Sequence, residues 1–207
     1  MSIDRDKILF AILAGGQSKR FGGGFKTFSK IDGEKILDII IKKLKKYSRD
    51  IIINANSLKD FKSINQPIVA DKLNGFLGPL AGIHTSMSYA KNKYVNKEWI
   101  FTVPSDTPYL PENLLDKFLE TFDNQNIKIL IARSNNRHHP VIAMWHISLL
   151  QNLEDELKSK NYKIMYWVKK HNYKFVEFNS DQEKNFFNIN TKEDLSNAKK
   201  INIYNSI

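Results

Sequence analysis

The sequence predicts an α/β protein in three layers, with a mostly parallel, doubly wound sheet between two layers of helices. Short continuous apolar runs alternate with amphipathic helical patterns, and such runs are typical of parallel strands buried on both faces. Two helical patterns open with proline, at Pro79 and Pro111, which is common at helix starts. All nine glycines lie between Gly15 and Gly82, and five of them cluster directly after the first apolar run. Such clustering indicates backbone that approaches a ligand closely.

The first part of the chain supplies most of this alternation. The helix predicted over 34–48 carries its apolar stripe on Ile36, Ile40 and Leu44, which are four residues apart. Strands are predicted over 7–13, 50–55, 66–70, 98–103 and 127–132, and further helices over 79–91 and 111–122.

From residue 134 onward the alternation is less regular. Strands are predicted over 140–145 and 173–178, and helices over 147–158 and 162–170. Thr191 is a candidate N-cap for a last helix, because acidic residues follow it in what would be the first turn. We see no linker or internal repeat, so we expect a single domain over residues 1–207.

The composition excludes several classes of protein. The chain has 207 residues, of which 42% are hydrophobic and 12% aromatic, enough to bury a substantial core. It has no cysteine, which excludes a disulfide framework, a thiolate nucleophile and a cysteine-ligated metal. The apolar runs are far shorter than the ~20 residues that a transmembrane helix needs, and the N-terminus lacks a signal-peptide cleavage pattern. We therefore expect a cytoplasmic protein without membrane association.

The chain is basic, with 32 Lys and Arg against 22 Asp and Glu and a net charge of +10. A positive balance suits a polyanionic partner. The densest basic run, residues 42–46, lies within an amphipathic helical pattern, where it would form the solvent-exposed face. We therefore favour a phosphate-rich small molecule as the partner over nucleic acid.

The glycine-rich segment AGGQSKRFGGGFK, residues 14–26, follows the first strand, where open α/β sheets bind their ligands. Its glycines let backbone N–H groups turn toward phosphate oxygens, and Lys19, Arg20 and Lys26 add positive charge. It is not a Walker A loop, because Phe25 separates the last glycine from Lys26, and it does not fit G-x-G-x-x-G. The segment therefore predicts a third kind of phosphate-binding loop.

Asp106 follows the predicted strand 98–103, at the same edge of the sheet as the glycine-rich segment. Triphosphate chemistry uses Mg²⁺, which proteins hold through one or two carboxylates together with phosphate oxygens. Asp-Thr-Pro is also a common turn sequence, but the neighbouring glycine-rich segment favours a ligand-binding role. We predict Mg²⁺ as the cofactor and Asp106 as its ligand.

The glycine-rich segment resembles the nucleotidyltransferase signature L-A-G-G-x-S-x-R-[MF]-G-x-x-D-K. It matches from Leu13 to Gly22 and again at Lys26, but Phe25 stands where the family usually has Asp. Taken as a whole, the chain resembles the molybdenum cofactor guanylyltransferase (MobA) family. Further matches lie in INAN at 53–56, VAD at 69–71, GPLAGI at 78–83, PSDTPYLP at 104–111, HPVIAMW at 139–145 and FNINTKEDL at 187–195.

The resemblance implies a Rossmann-like fold related to the nucleotide-diphospho-sugar transferases, with a nucleotide-binding half over 1–133 and an acceptor-side lobe over 134–207. It also implies that the protein transfers GMP from GTP to the terminal phosphate of the molybdenum-bearing pterin and releases pyrophosphate. The expected partners are GTP and molybdopterin. The resemblance also allows transient contact with proteins that make or receive the cofactor.

The resemblance assigns roles to individual residues. Lys26, Asp106 and Arg20 would be catalytic, with Lys26 on the triphosphate and Asp106 on both the nucleotide and the metal. Asn54 and Asp71 would hold the guanosine, and Asn188 and Asn190 would lie on the pterin-phosphate side. The complete predicted binding set is Leu13, Ala14, Gly15, Gly16, Lys26, Asn54, Asp71, Gly78, Pro79, Leu80, Gly82, Asp106, Asn188 and Asn190.

Two alternatives stay open at the level of sequence. One is a related nucleotidyltransferase that uses CTP or a sugar-phosphate acceptor, since such enzymes share the glycine-rich loop. The other is a catalytically idle nucleotide-binding module, against which the presence of Lys26 and Asp106 argues. His139, which precedes Pro140, is as compatible with an ordinary surface position as with a substrate contact.

Overall fold

The computed structural model describes residues 3–15, 26–73, 75, 77–124, 126–179 and 185–203. A seven-stranded sheet forms its centre, and a two-stranded hairpin lies beside it. The strands are β1 (Ile8–Leu13), β2 (Lys30–Ile31), β3 (Glu34–Lys35), β4 (Ile51–Asn54), β5 (Ile68–Val69), β6 (Trp99–Pro104), β7 (Ile129–Ser134), β8 (Arg137–His146) and β9 (Tyr173–Phe178). The helices are α1 (Ile36–Lys45), α2 (Pro79–Lys93), α3 (Leu114–Thr121), α4 (Leu150–Lys158), α5 (Ile164–Val168) and α6 (Lys192–Ile203).

The order of the strands in the large sheet is β5-β4-β1-β6-β8-β7-β9. The chain runs outward from β1 to β4 and β5 and then returns to β6 on the other side of β1. All pairs among these four strands are parallel, β9 is parallel to β7, and β8 is antiparallel to both of its neighbours. The prediction of a mostly parallel, doubly wound sheet is therefore confirmed, and its switch point lies between β1 and β6.

Helices cover both faces of the sheet because its central strands are apolar on both sides. In β1, Phe10 and Ile12 pack toward α1, α3 and α6, whereas Leu9 and Ala11 pack toward α2, α4 and α5. The predicted apolar stripe of α1 is buried in the first of these layers. None of the helices in the described part of the chain combines the length and the apolarity needed to cross a bilayer.

Several boundaries differ from the prediction. The helix expected over 34–48 begins at Ile36, because Glu34 and Lys35 pair with β2 across a turn at Asp32 and Gly33, both with positive φ. The helix expected over 111–122 begins at Leu114. The prediction that Thr191 caps the last helix is confirmed, because its Oγ1 accepts a hydrogen bond from the N–H of Asp194 at 3.0 Å.

A bulge interrupts β8 near its start. Along β7, Ile131 pairs with Ala143 but the next residue, Ala132, pairs with His139, so residues 140–142 have no partner on that strand. Thr102 of β6 secures the bulge: its hydroxyl donates to the carbonyl of Val141 at 2.7 Å and accepts from the indole N–H of Trp145 at 2.9 Å. The side chain of Thr102 is fully buried, so these bonds face no competition from water.

We predict that Thr102→Val destabilises the fold, because it leaves the buried indole N–H of Trp145 without its partner and removes the donor to the Val141 carbonyl. The expected loss is about 2 kcal/mol in the free energy of unfolding, measured by urea denaturation. Thr121→Val is the matched control, since the Thr121 hydroxyl bonds within the last turn of a partly exposed helix. Equal losses in the two variants would show that Thr102 does not secure the bulge.

Candidate active site

A cleft of about 550 Å³ opens at the carboxyl edge of β1 and β6. The two strands are held in register to their ends, where Leu13 pairs with Pro104 and the N–H of Ser105 donates to the carbonyl of Leu13 at 3.1 Å. On the other side of β1, the N–H of Ala14 donates to the carbonyl of Asn54 at 2.8 Å. Three parallel strands therefore end side by side beneath the cleft.

A cluster of polar side chains forms the floor of the cleft beside β6. The ammonium of Lys26 forms an ion pair with the carboxylate of Asp106 and donates to Oδ1 of Asn190 at 2.8 Å. The Lys26 and Asp106 side chains are 18% and 15% exposed, so the pair is largely shielded yet accessible from the cleft. The next residue, Thr27, anchors this turn by donating from its hydroxyl to the carbonyl of Ser105 at 3.1 Å.

The segment before α6 reaches this floor by docking on the loop that follows β6. The N–H of Phe186 donates to the carbonyl of Tyr109 at 3.0 Å, and the N–H of Ile189 donates to the carbonyl of Asp106 at 2.9 Å. The docked segment carries both asparagines of the predicted acceptor side. Oδ1 of Asn188 lies 2.7 Å from the Thr107 hydroxyl, and the N–H of Asn190 donates to the Asp194 carboxylate at 2.8 Å.

A second polar group forms the corner beside β4. Nδ2 of Asn54 donates to the carbonyl of Val69 at 3.1 Å and to Oδ1 of Asp71 at 2.8 Å. Nδ2 of Asn56 donates to Oδ2 of Asp71 at 2.8 Å, and Oδ1 of Asn56 accepts from the backbone N–H of Asp71 at 2.7 Å. Because both N–H groups of Asn54 are used, its free Oδ1 faces the glycines at 15 and 82. The corner therefore offers hydrogen-bond acceptors to the cleft.

The opposite wall comes from the start of β8 and its bulge. His139 is half-buried, its ring stacks on Phe186 with centroids 4.6 Å apart, and its Nε2 lies 2.8 Å from the Ser134 hydroxyl. Burial, with the nearby charges of Arg137 and His138, lowers the pKa of His139 to about 4, so its ring is neutral at pH 7. Arg137 and His138 are exposed and line the cleft.

Residues 10–174 match the family profile described as the MobA-like NTP transferase domain. The chain belongs to this family. Molybdenum cofactor guanylyltransferase of Nitrobacter hamburgensis is 32% identical to this MobA-like chain over 203 residues, covering 97% of each protein. The match spans both the strand ends beneath the cleft and the segment before α6 that docks on them.

Solved structures agree with the fold. Molybdopterin-guanine dinucleotide biosynthesis protein A from Archaeoglobus fulgidus superposes with a TM-score of 0.72 at 20% identity, covering 94% of this chain and 98% of that one. A cytidylyltransferase from Leptospira borgpetersenii superposes with a TM-score of 0.71 at 20% identity, covering 96% of this chain and 87% of that one. Since a cytidylyltransferase shares the fold, the fold alone does not specify the base.

The structure brings most of the predicted site residues to one cleft. Asn190 reaches it through its bond to Lys26, and Gly82 lies against Asn54. Leu80 is not brought there: its side chain is fully buried in the apolar layer beneath α2. Gly16 and Arg20 lie outside the described residues. The predicted residues that line the cleft are Leu13, Ala14, Gly15, Lys26, Asn54, Asp71, Gly78, Pro79, Asp106 and Asn188.

The sequence patterns did not predict that the start of β8 forms one wall of the cleft. Arg137, His138 and Val141 line the cleft although no sequence pattern assigned them to the site. His139, for which the sequence allows either a surface position or a substrate contact, lines it as well. A signal was present in Pro140, the first residue of the strand predicted over 140–145, because proline in sheets is confined to strand starts, edge strands and bulges. Such a bulge turns neighbouring side chains out of the regular alternation, here toward the cleft.

We predict that Gly82→Ala weakens GTP binding about tenfold. Alanine usually stabilises a helix interior by about 0.5–1 kcal/mol relative to glycine. Here its Cβ would overlap Oδ1 of Asn54 and lie 3.2 Å from Cδ2 of Leu13, so Asn54 must move. Titration calorimetry measures the GTP dissociation constant, and urea denaturation measures the stability.

A double-mutant cycle tests the cause of that loss. If Gly82→Ala acts by displacing Asn54, then adding it to Asn54→Ala should cost no further GTP affinity. Asn92→Ala, at an exposed position near the end of the same helix, is the control for a helical alanine. Fully additive effects would contradict the assignment of this contact.

Proposed function

We propose that this MobA-like protein transfers GMP from GTP to the terminal phosphate of the molybdenum-bearing pterin, which yields the guanine dinucleotide form of the cofactor and pyrophosphate. The observation that carries the proposal is the cluster of Lys26, Asp106 and Asn190 at the switch point of the sheet. The identity to a molybdenum cofactor guanylyltransferase over nearly the whole chain supports the choice of substrates.

The reaction needs no nucleophile from the protein. An oxygen of the acceptor phosphate forms a bond to the α-phosphorus of GTP, while the bond from that phosphorus to the α–β bridging oxygen breaks. The electron pair of the broken bond leaves on pyrophosphate, so atoms and charge balance without a proton transfer. The protein's contribution is therefore orientation of the two substrates and stabilisation of negative charge. In this proposal, Lys26 stabilises the charge on the departing pyrophosphate.

The oxygen atoms at the floor of the cleft are suitable ligands for Mg²⁺. The Lys26 ammonium lies between a carboxylate oxygen of Asp106 and the amide oxygen of Asn190, both of the hard oxygen type that Mg²⁺ prefers. The described part of the chain has no group of three or more acidic or histidine side chains arranged to hold a metal ion, but Mg²⁺ commonly needs only one or two carboxylates plus phosphate oxygens. Asp106 and Asn190 would hold the ion, which would supply charge neutralisation at the phosphates.

The corner beside β4 suits guanosine. Guanine presents N1–H and N2–H₂ side by side as hydrogen-bond donors, and the Asp71 carboxylate and Asn54 Oδ1 are acceptors. Asn54 cannot reverse its amide to offer donors without losing its bonds to Val69 and Asp71. A base with fewer donors on that edge would leave a buried acceptor unpaired, at a cost of about 1–3 kcal/mol for each.

The test is competition among GTP, CTP, ATP and UTP at equal concentrations, with Mg²⁺ and molybdopterin as acceptor, followed by analysis of the dinucleotide product. We expect GTP to be used on the order of a hundredfold better than the others, from two lost hydrogen bonds. Equal use of CTP would overturn the guanylyl assignment and favour the cytidylyl alternative. Absence of pyrophosphate release with every nucleotide would favour a non-catalytic binding module.

We also predict that Asp106→Asn lowers turnover by about 10²–10³, because it removes a negative charge at the reacting centre. The fold should be retained, since the asparagine is nearly the same size and lies beside the cleft. Asp116→Asn is the matched control, because Asp116 pairs with Arg5 on the exposed side of α3. Turnover near the wild-type rate in folded Asp106→Asn protein would contradict the role given to this carboxylate.

A further inference from the structure

We propose that Arg137 and His138, at the tip of the β7–β8 hairpin, bind the phosphate group of the acceptor substrate. This inference rests on the proposed function and deepens it, because it assigns a place within the cleft to the second substrate. Neither residue belongs to the predicted site.

The hairpin tip is a tight turn with paired residues on either side. Asn135 and Asn136 form its turn with φ of 47° and 58°, the left-handed conformation of a tight hairpin turn. Ser134 and Arg137 pair directly on either side of the turn. His138 is held further by stacking of its ring on Phe175, with centroids 4.3 Å apart and the planes 17° from parallel. The turn and its pairing with β7 therefore place the side chains of Arg137 and His138 at the cleft.

The guanidinium of Arg137 has no partner within the described part of the chain. Its neighbour Arg133 differs, because it forms an ion pair with Glu177 and lies over the ring of Phe175. A guanidinium carries five N–H donors in a planar fork that matches two oxygens of a phosphate. Arg137 is therefore free to bind an anion that enters the cleft.

The anion that fits Arg137 is the acceptor phosphate, because other groups in the cleft already suit the nucleoside and the triphosphate. The corner at Asn54 and Asp71 presents acceptors that suit the nucleoside, and Lys26 on the floor suits the triphosphate. An in-line displacement requires the incoming oxygen to approach the α-phosphorus from the side opposite pyrophosphate. Among the described cationic side chains that line the cleft, Arg137 is the one left for a second phosphate.

The experiment compares Arg137→Gln with the matched control Arg133→Gln, which removes the same charge from the same hairpin but not from the cleft. Fluorescence titration gives the molybdopterin dissociation constant, calorimetry gives that of GTP, and steady-state kinetics gives KM for molybdopterin. Arg137→Gln should weaken molybdopterin binding and raise its KM by about ten- to a hundredfold, as expected for losing a charge-assisted hydrogen bond. Its GTP affinity should stay within about twofold, because the donor nucleotide lies on the other wall.

The controls separate a local contact from a general effect of charge. Arg133→Gln should leave both dissociation constants near the wild-type values, and Arg137→Lys should retain part of the molybdopterin affinity. His138→Ala should weaken molybdopterin more than GTP. Thermal unfolding of each variant checks that the fold is intact.

Three results would overturn the inference. Weaker GTP binding with unchanged molybdopterin binding in Arg137→Gln would place this residue on the triphosphate. Equal losses in Arg137→Gln and Arg133→Gln would indicate only long-range attraction, and no change would indicate no role in binding. Failure of the proposed function would look different: wild-type protein would bind molybdopterin through Arg137 but release no pyrophosphate from GTP.

Discussion

The parallel pairing of β1 with β6 sets the edge of the sheet at which the floor of the candidate site lies. It continues past the last residues of both strands, so the backbone after Leu13 and the carboxylate of Asp106 leave the sheet at the same level. The end of β4 joins this edge through Ala14, and the start of α2 closes it at Gly78, whose φ of +71° favours glycine. A shift of one residue between β1 and β6 would move the side chains of one strand from one buried helical layer to the other, so the packing of both layers resists such a shift.

The polar floor depends on contacts between segments far apart in the chain. Lys26, Asp106 and Asn190 come from three separate loops, and the last of these arrives only because the segment before α6 docks on the loop after β6. Asp194 fixes the asparagine by accepting its N–H while also serving the cap of α6. The same bonds therefore start a helix and complete a binding site, which ties assembly of the floor to folding of the chain.

Local signals predicted the buried strands well, because a continuous apolar run needs no knowledge of its neighbours. They did not predict the hairpin of β2 and β3, whose strands are only two residues long, or the antiparallel direction of β8, which depends on the path of the chain.

For the site, residues at strand ends were placed correctly at one edge. Leu80 was not, because position within the first turn of a helix decides which side chains face the sheet. Arg137 was missed because a charged residue at an exposed turn looks ordinary in sequence.

The reversed direction of β8 gives the cleft two kinds of wall. One wall, with Asn54 and Asp106, consists of loops that leave strands at their carboxyl ends, whereas the opposite wall is the beginning of a strand that enters the sheet there. Below the bulge this strand is paired on both sides, with β6 and with β7, and the Thr102 hydroxyl bonds the backbone of the bulge itself. Above the bulge, residues 137–139 of β8 pair with β7, whereas the pairing with β6 ends at Ala143. With the acceptor at the hairpin tip, as proposed, the ladder below the bulge can be kept while the tip changes to suit another acceptor.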